Sequence, residues 1–182
     1  MELYVIIVCL AILVLFLILA YNALIGARNS VNEAFSTMDV YLKQRWDLIP
    51  NLVECVKSYM EHEKSILEEV TKIRSSMYEG LSQQAKIEAN KKITTDLSKL
   101  FALAENYPEL KANTVFLDLQ EKLTKVEDDI AYSRKYYNAN VRDLNNKIQM
   151  FPTNIIASMF GFKEAKMFEI DEAQREPIKV SF

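Results

Sequence analysis

Turn-forming chemistry is almost missing from this chain: three glycines (Gly26, Gly80, Gly161) and four prolines (Pro50, Pro108, Pro152, Pro177) punctuate 182 residues. So few breakers leave room only for few, long elements, and at this length long elements are helices. No window sustains the apolar–polar alternation of a half-buried strand. Two cysteines, Cys9 and Cys55, make no disulfide framework, and Cys55 reads as a small hydrophobe on a helix. The one histidine, His62, excludes a zinc helix with two histidines four apart. It also excludes the paired Glu-x-x-His of a di-iron bundle, because the residue three before it is Tyr59. There is no Gly-rich phosphate loop and no nucleophile elbow. A net charge of −3 lacks the basic excess of a nucleic-acid binder. No catalytic, metal or cofactor residue is assigned, and neither an enzyme nor a cofactor is expected.

What the chain does have is grease at one end. Leu3 to Ala20 are eighteen positions without a charge, a helix of about 27 Å at ~1.5 Å per residue. Tyr21 to Ile25 extend it to the ~30 Å of a hydrocarbon core. Lipid offers the backbone no partner, so the segment is helical, a single-pass anchor spanning residues 3–25. Only Met1 and Glu2 precede the run, and Ala20-Tyr21-Asn22-Ala23 is a poor cleavage pattern, which argues against a removed signal peptide. Arg28, Lys43 and Arg45 follow the span and no Lys or Arg precedes it, so the N-terminus is expected outside and the rest in the cytoplasm.

The remaining residues read as an all-α, antiparallel bundle of three long helices and a short C-terminal one. Phe35, Met38, Leu42, Arg45, Ile49, Leu52, Val56, Tyr59, Glu63, Ile66, Val70, Ile73 and Met77 recur at alternating spacings of three and four, a coiled-coil seam. The helix is expected from about Ser30 to Met77, continuous but kinked at Pro50, with Gly80 as its C-cap. A second helix follows from about Ser82 to Asn106 with Ala89, Ile93, Leu97, Leu100, Ala104 and Tyr107 inward. Asn113 suits the N-cap of a third, whose row is Phe116, Leu119, Leu123, Val126, Ile130, Tyr137, Val141, Leu144, Ile148 and Phe151. Its phase slips near Ser133, where the supercoil should relax. A short helix ending at Gly161 comes next. The expected divisions are an anchor at 1–27, a bundle at 28–170 and a polar tail at 171–182.

Arg45 and Glu63 put charge into the seam, which calls for an interhelical pair, a snorkelling stem or a contact with another protomer. Tyr132, Tyr136 and Tyr137 beside Arg134 and Lys135 read as core edge plus surface rather than base-stacking residues. Asn138, Asn140, Asn145 and Asn146 are more asparagine than a helix favours, and suit hydrogen bonds between helices or protomers.

These residues resemble the LemA family. The resemblance rests on Tyr21-Asn22, Arg28-Asn29, Leu42 to Val53 (LKQRWDLIPNLV), Val56-Lys57 with His62-Glu63-Lys64, and Ala102 to Pro108. It continues through Leu110 to Asn113, Tyr137-Asn138 and Phe151 to Phe162. Leu144 departs from it, standing where relatives often carry a Tyr. The resemblance implies a membrane-anchored helical bundle with its N-terminus outside the cell membrane, and carries over no catalytic residue.

If the first helix ran straight to Gly80, the apolar 155–162 segment would lie far from the anchor's own bilayer, and a protruding third helix would expose unpaired apolar positions. The reading that follows is a non-enzymatic scaffold at a bacterial inner membrane that self-associates or recruits a membrane or cytoplasmic protein. Arg45, Glu63, Tyr137, Asn138, Ile155, Ile156, Met159, Phe160 and Phe162 are its candidate contacts. The alternative is a membrane-contacting module in which Ile155, Ile156, Met159, Phe160 and Phe162 enter a bilayer. Nucleic acid is not an expected partner.

Overall fold

The computed structural model describes residues 1–59 and 78–168, and every regular element among them is helical. The apolar run and the first half of the seam form one helix, α1 (Glu2–Lys57). It crosses the expected 27/28 boundary without a break and carries Pro50 inside it. Pro50 leaves the Trp46 carbonyl without its helical partner, but the apolar seam keeps its phase on both sides and packing holds the helix together. α1 ends short of Met77: Ser58 and Tyr59 form a turn in which the Tyr59 N–H reaches the Val56 carbonyl at 3.0 Å. Glu63, His62 and the rest of the expected row to Met77 lie outside the described residues.

Gly80 is not a left-handed helix cap. It closes a single 3₁₀ turn, Tyr78–Gly80, and Gly161 is the one glycine with a positive φ among the described residues. The Leu81 N–H returns to the Tyr78 carbonyl at 3.2 Å, and Ser82 at once caps α2 (Gln83–Ala104) through its hydroxyl to the Ala85 N–H at 3.2 Å. Two elements placed so close need no left-handed residue between them. The one-turn α3 (Pro108–Lys111) leads to α4 (Thr114–Gln149). Asn113 caps α4 as its position suggested, its side-chain oxygen accepting from the Val115 and Phe116 N–H groups at 2.9 and 3.1 Å. α5 (Thr153–Met159) is the last helix.

Contacts divide the chain into two compact units. In the unit built on residues 37–132, Met38, Leu42, Trp46, Ile49, Leu52 and Val56 of α1 are buried with Ile93, Leu97 and Leu100 of α2 and with Phe116, Leu119, Leu123, Val126 and Ile130 of α4. Here α4 runs antiparallel to α1: Asn113 donates to the Tyr59 hydroxyl at 3.1 Å, and Arg45 meets Glu127 at 2.8 Å. α2, by contrast, runs in the direction of α1, with Lys86 on Asp39 at 2.6 Å and Thr94 on Arg45 at 2.9 Å. It was expected to return towards the anchor. It does not, because Tyr78 already stands against Asp39 (2.5 Å) and Trp46 (ring centroids 5.2 Å apart), so the chain is back beside α1 before α2 begins. The face of α2 is correspondingly broader than its apolar row: Ile87, Asn90 and Asp96 are buried, whereas Ala89 and Tyr107 are only half-buried.

Arg45 is 3% exposed and lies between two helices, held by Glu127 of α4 and Thr94 of α2, with its Nε left unpartnered. Burial pushes its pKa down and Glu127 pulls it back. The Tyr78 hydroxyl is raised well above the usual phenol range by burial and by its bond to Asp39. Burial likewise raises the Cys55 thiol, in keeping with a packing role.

The second unit takes residues 1–36 and 133–168. α4 is again antiparallel to α1, with Tyr137 edge-on to Phe35 (5.9 Å) and Ile148 packed on the cluster that holds Leu24. Ser133, at the phase slip, is buried in line with Tyr137, Val141 and Leu144. Leu144 is fully in the core, with no polar contact to make. Phe151, expected in the buried row, is 79% exposed: α4 stops at Gln149, and Phe151 lies on the outside of the turn into α5. No part of α4 protrudes with an unpaired apolar row, since Phe116 to Leu144 of that row are buried.

Three substitutions test these assignments by thermal denaturation in detergent. Glu127→Ala strands the buried Arg45 charge and should cost about 1–3 kcal/mol, whereas Arg45→Met leaves only an exposed Glu127 and should cost less. Asn113→Ala removes the cap and should cost about 1 kcal/mol.

Candidate interface beside the apolar helix

The sequence from Gln149 to Phe168 forms a short helix and a strap, both laid on the other elements of the second unit. α4 ends where Thr153 turns back on it, its hydroxyl donating to the carbonyls of Lys147 (2.6 Å) and Met150 (2.9 Å). α5 ends at Phe160, with Gly161 at φ 69°. The Phe162 N–H bonds to the Ala157 carbonyl (2.9 Å) and the Gly161 N–H to the Ser158 carbonyl (3.3 Å), the paired bonds of a Schellman cap. That cap turns Phe162 back against Ala157.

α5 sits on α1 at the end of the apolar run. Ala20, Leu24, Ile156 and Ala157 make one buried cluster, flanked by Leu17, Ile148 and Phe162. The Tyr21 ring lies 4.8 Å from Phe160 and 6.0 Å from Phe162, and the Arg28 guanidinium lies 5.4 Å over Phe162. The expectation that 155–162 lies remote from the anchor is therefore corrected. The antiparallel run of α4 in this unit delivers its far end to residues 17–28 of α1.

Beyond Phe162 the chain is extended and is held by its backbone. Asn138 donates to the Phe168 carbonyl (2.9 Å) and accepts from the Phe168 N–H (2.8 Å). Asn145 does the same with Ala165, at 3.0 and 2.9 Å. The two asparagines are seven apart, two turns up one face of α4, about 10.5 Å, which matches three extended residues at ~3.3 Å each. Tyr137 adds a bond from its hydroxyl to the Lys166 carbonyl (3.0 Å), and Gln149 donates to Glu164 at 2.9 Å. Only Phe168 of the strap is buried, with Arg134 at 5.6 Å from its ring. Burial raises the Tyr137 hydroxyl.

The candidate contacts thus fall in three groups. Arg45 is committed within its own chain, and Tyr137 and Asn138 hold the strap. Ile155, Met159 and Phe160 face outwards, but Ile156 is buried and Phe162 half-buried, so neither is available to a bilayer. Asn145, named with its neighbours as suited to hydrogen bonds, makes two of them to the strap; Phe151, Tyr21 and Arg28 also lie at the site but were not among the candidate contacts. Among the described residues no three carboxylate, thiol or imidazole groups come together. Asn145→Ala should remove two bonds from the strap and speed proteolytic cleavage at 163–168 in the folded protein, more than Asn140→Ala, whose side chain reaches only its own helix.

The LemA family profile matches residues 34–182. The chain is 24% identical over 161 residues to Protein LemA of Metamycoplasma hominis, covering 88% of this chain and 74% of that protein. It is 26% identical over 188 aligned positions to magnetosome protein MamQ 2 of Paramagnetospirillum magneticum, and 23% identical over 188 to magnetosome protein MamQ of Magnetospirillum gryphiswaldense. Each of those alignments covers 89% of this chain and 69% of the relative. With a helical bundle and a family match running from α1 to its last residue, the chain belongs to the LemA family.

Proposed function

We propose that the protein is a membrane-anchored, non-enzymatic scaffold whose helical bundle stands at the cytoplasmic face of a bacterial inner membrane, the N-terminus outside. The observation that carries this reading is the join between anchor and bundle. α1 is long and apolar enough to cross a membrane, and its Leu17, Ala20 and Leu24 are part of a core with Ile156 and Ala157. A cleaved leader would be free of the fold. Here its removal would open that core, which supports a retained helix. Among the described residues the buried Arg45 is paired with Glu127 within the chain, which supports association through the surface of the bundle, with copies of itself or with another protein.

Alkaline extraction of membranes from expressing cells should leave the full chain in the pellet at its intact mass; a shortened, extractable product would overturn the anchor. Mass photometry in detergent should show more than one protomer per particle. A strict monomer at native concentration would remove self-association and leave recruitment of another protein.

A further inference from the structure

Most short surface helices have a polar outer side. On α5 that side is mostly apolar, Ser158 being its exposed polar residue. Its inner side, Ile156 and Ala157, is packed on α1, while its outer side carries Ile155 at 53%, Met159 at 69% and Phe160 at 58% exposure. Phe151 and Met150, in the turn before it, add to the same exposed apolar surface. Exposed apolar side chains gathered on a seven-residue helix, with Ser158 as the exposed polar exception, mark an interface.

We propose that this outer side of α5 rests in the lipid leaflet from which α1 emerges, as a second, interfacial foot beside the transmembrane helix. The inference rests on the anchor reading and adds to it. Its depth follows from α1: at ~1.5 Å per residue the hydrocarbon ends between Ala20 and Ile25, and α5 covers Leu17, Ala20 and Leu24. Tyr21, against Phe160, stands where aromatic side chains gather at the headgroup boundary. The charges suit the same position. Arg28 lies over the Phe162 ring, and Lys163, next in the chain after Phe162, is exposed. Lysine and arginine placed there meet anionic headgroups while the apolar side chains enter the acyl boundary. The Schellman cap at Gly161 then turns the chain away from the lipid and on to α4.

The test uses the full chain in vesicles of phosphatidylethanolamine and phosphatidylglycerol, with lipids brominated either near the headgroup or near the bilayer centre. In a Trp46→Phe background, single probes are Met159→Trp and Phe160→Trp at α5 and Leu13→Trp within the apolar run. The expected result is loss of emission at both α5 probes with headgroup-proximal bromine, and loss at Leu13→Trp with central bromine. Quenching at Leu13→Trp alone overturns the foot and leaves the anchor. Blue-shifted but unquenched α5 probes would likewise overturn it, in favour of a protein covering that face. No quenching at any probe would overturn the anchor and the foot together. Circular dichroism matching that of the parent chain shows that each variant is folded, and the two α5 probes guard against failure of either.

Discussion

Lipid leaves no peptide group unbonded, and the helix this demands does not stop where the lipid would. α1 runs from Glu2 to Lys57, well beyond the apolar run. Everything else in the second unit is placed against that line: α4 lies antiparallel to it, and α5 and the strap are delivered to the stretch where grease gives way to charge. A flexible joint at 27/28 would have made anchor and bundle independent. Leu24 and Ala27 are buried instead, and the boundary that the composition marks is absent from the packing.

Polar chemistry in this chain is used to fix geometry. In the first unit, Asp39 receives both Tyr78 and Lys86, and Lys86 also lies 4.6 Å from the Tyr78 ring, so one carboxylate gathers α1, the 3₁₀ turn and α2. In the second, two asparagine amides act as local substitutes for a neighbouring strand, pairing with the N–H and carbonyl of one residue each. An extended segment on a helix has no ladder of its own, and without such partners its amides would fall back on water.

The helical class, the apolar span, the α1 seam as far as Val56, the Asn113 cap and the stop at Gly161 were all legible in the sequence, because each depends on residues within a turn or two of one another. The direction of α2 was not. It depends on where Tyr78 docks, and nothing local to Gln83–Ala104 records that. Phe151 continued the apolar row by spacing, yet helix geometry ended two residues earlier at Gln149 and put it on the outside. The placement of α5 was lost for the same reason: it is a sum of helix lengths, and an error in one length moves the end of all of them. Of the contact residues, Ile155, Met159 and Phe160 could be named from apolar content alone, while separating them from Ile156 and Phe162 needed to know which side meets α1.

Arg45 has a consequence for how the helices can slip. Its guanidinium is matched to a carboxylate on α4 and a hydroxyl on α2, so a shift of α4 by one turn would leave a buried positive charge without its carboxylate, and a shift of α2 would cost it the hydroxyl. Leucines and isoleucines tolerate such sliding, since one apolar rung resembles the next. A single ion set into an otherwise uniform seam acts as a pawl: it contributes little to holding the rods together, and it selects the one notch in which they engage.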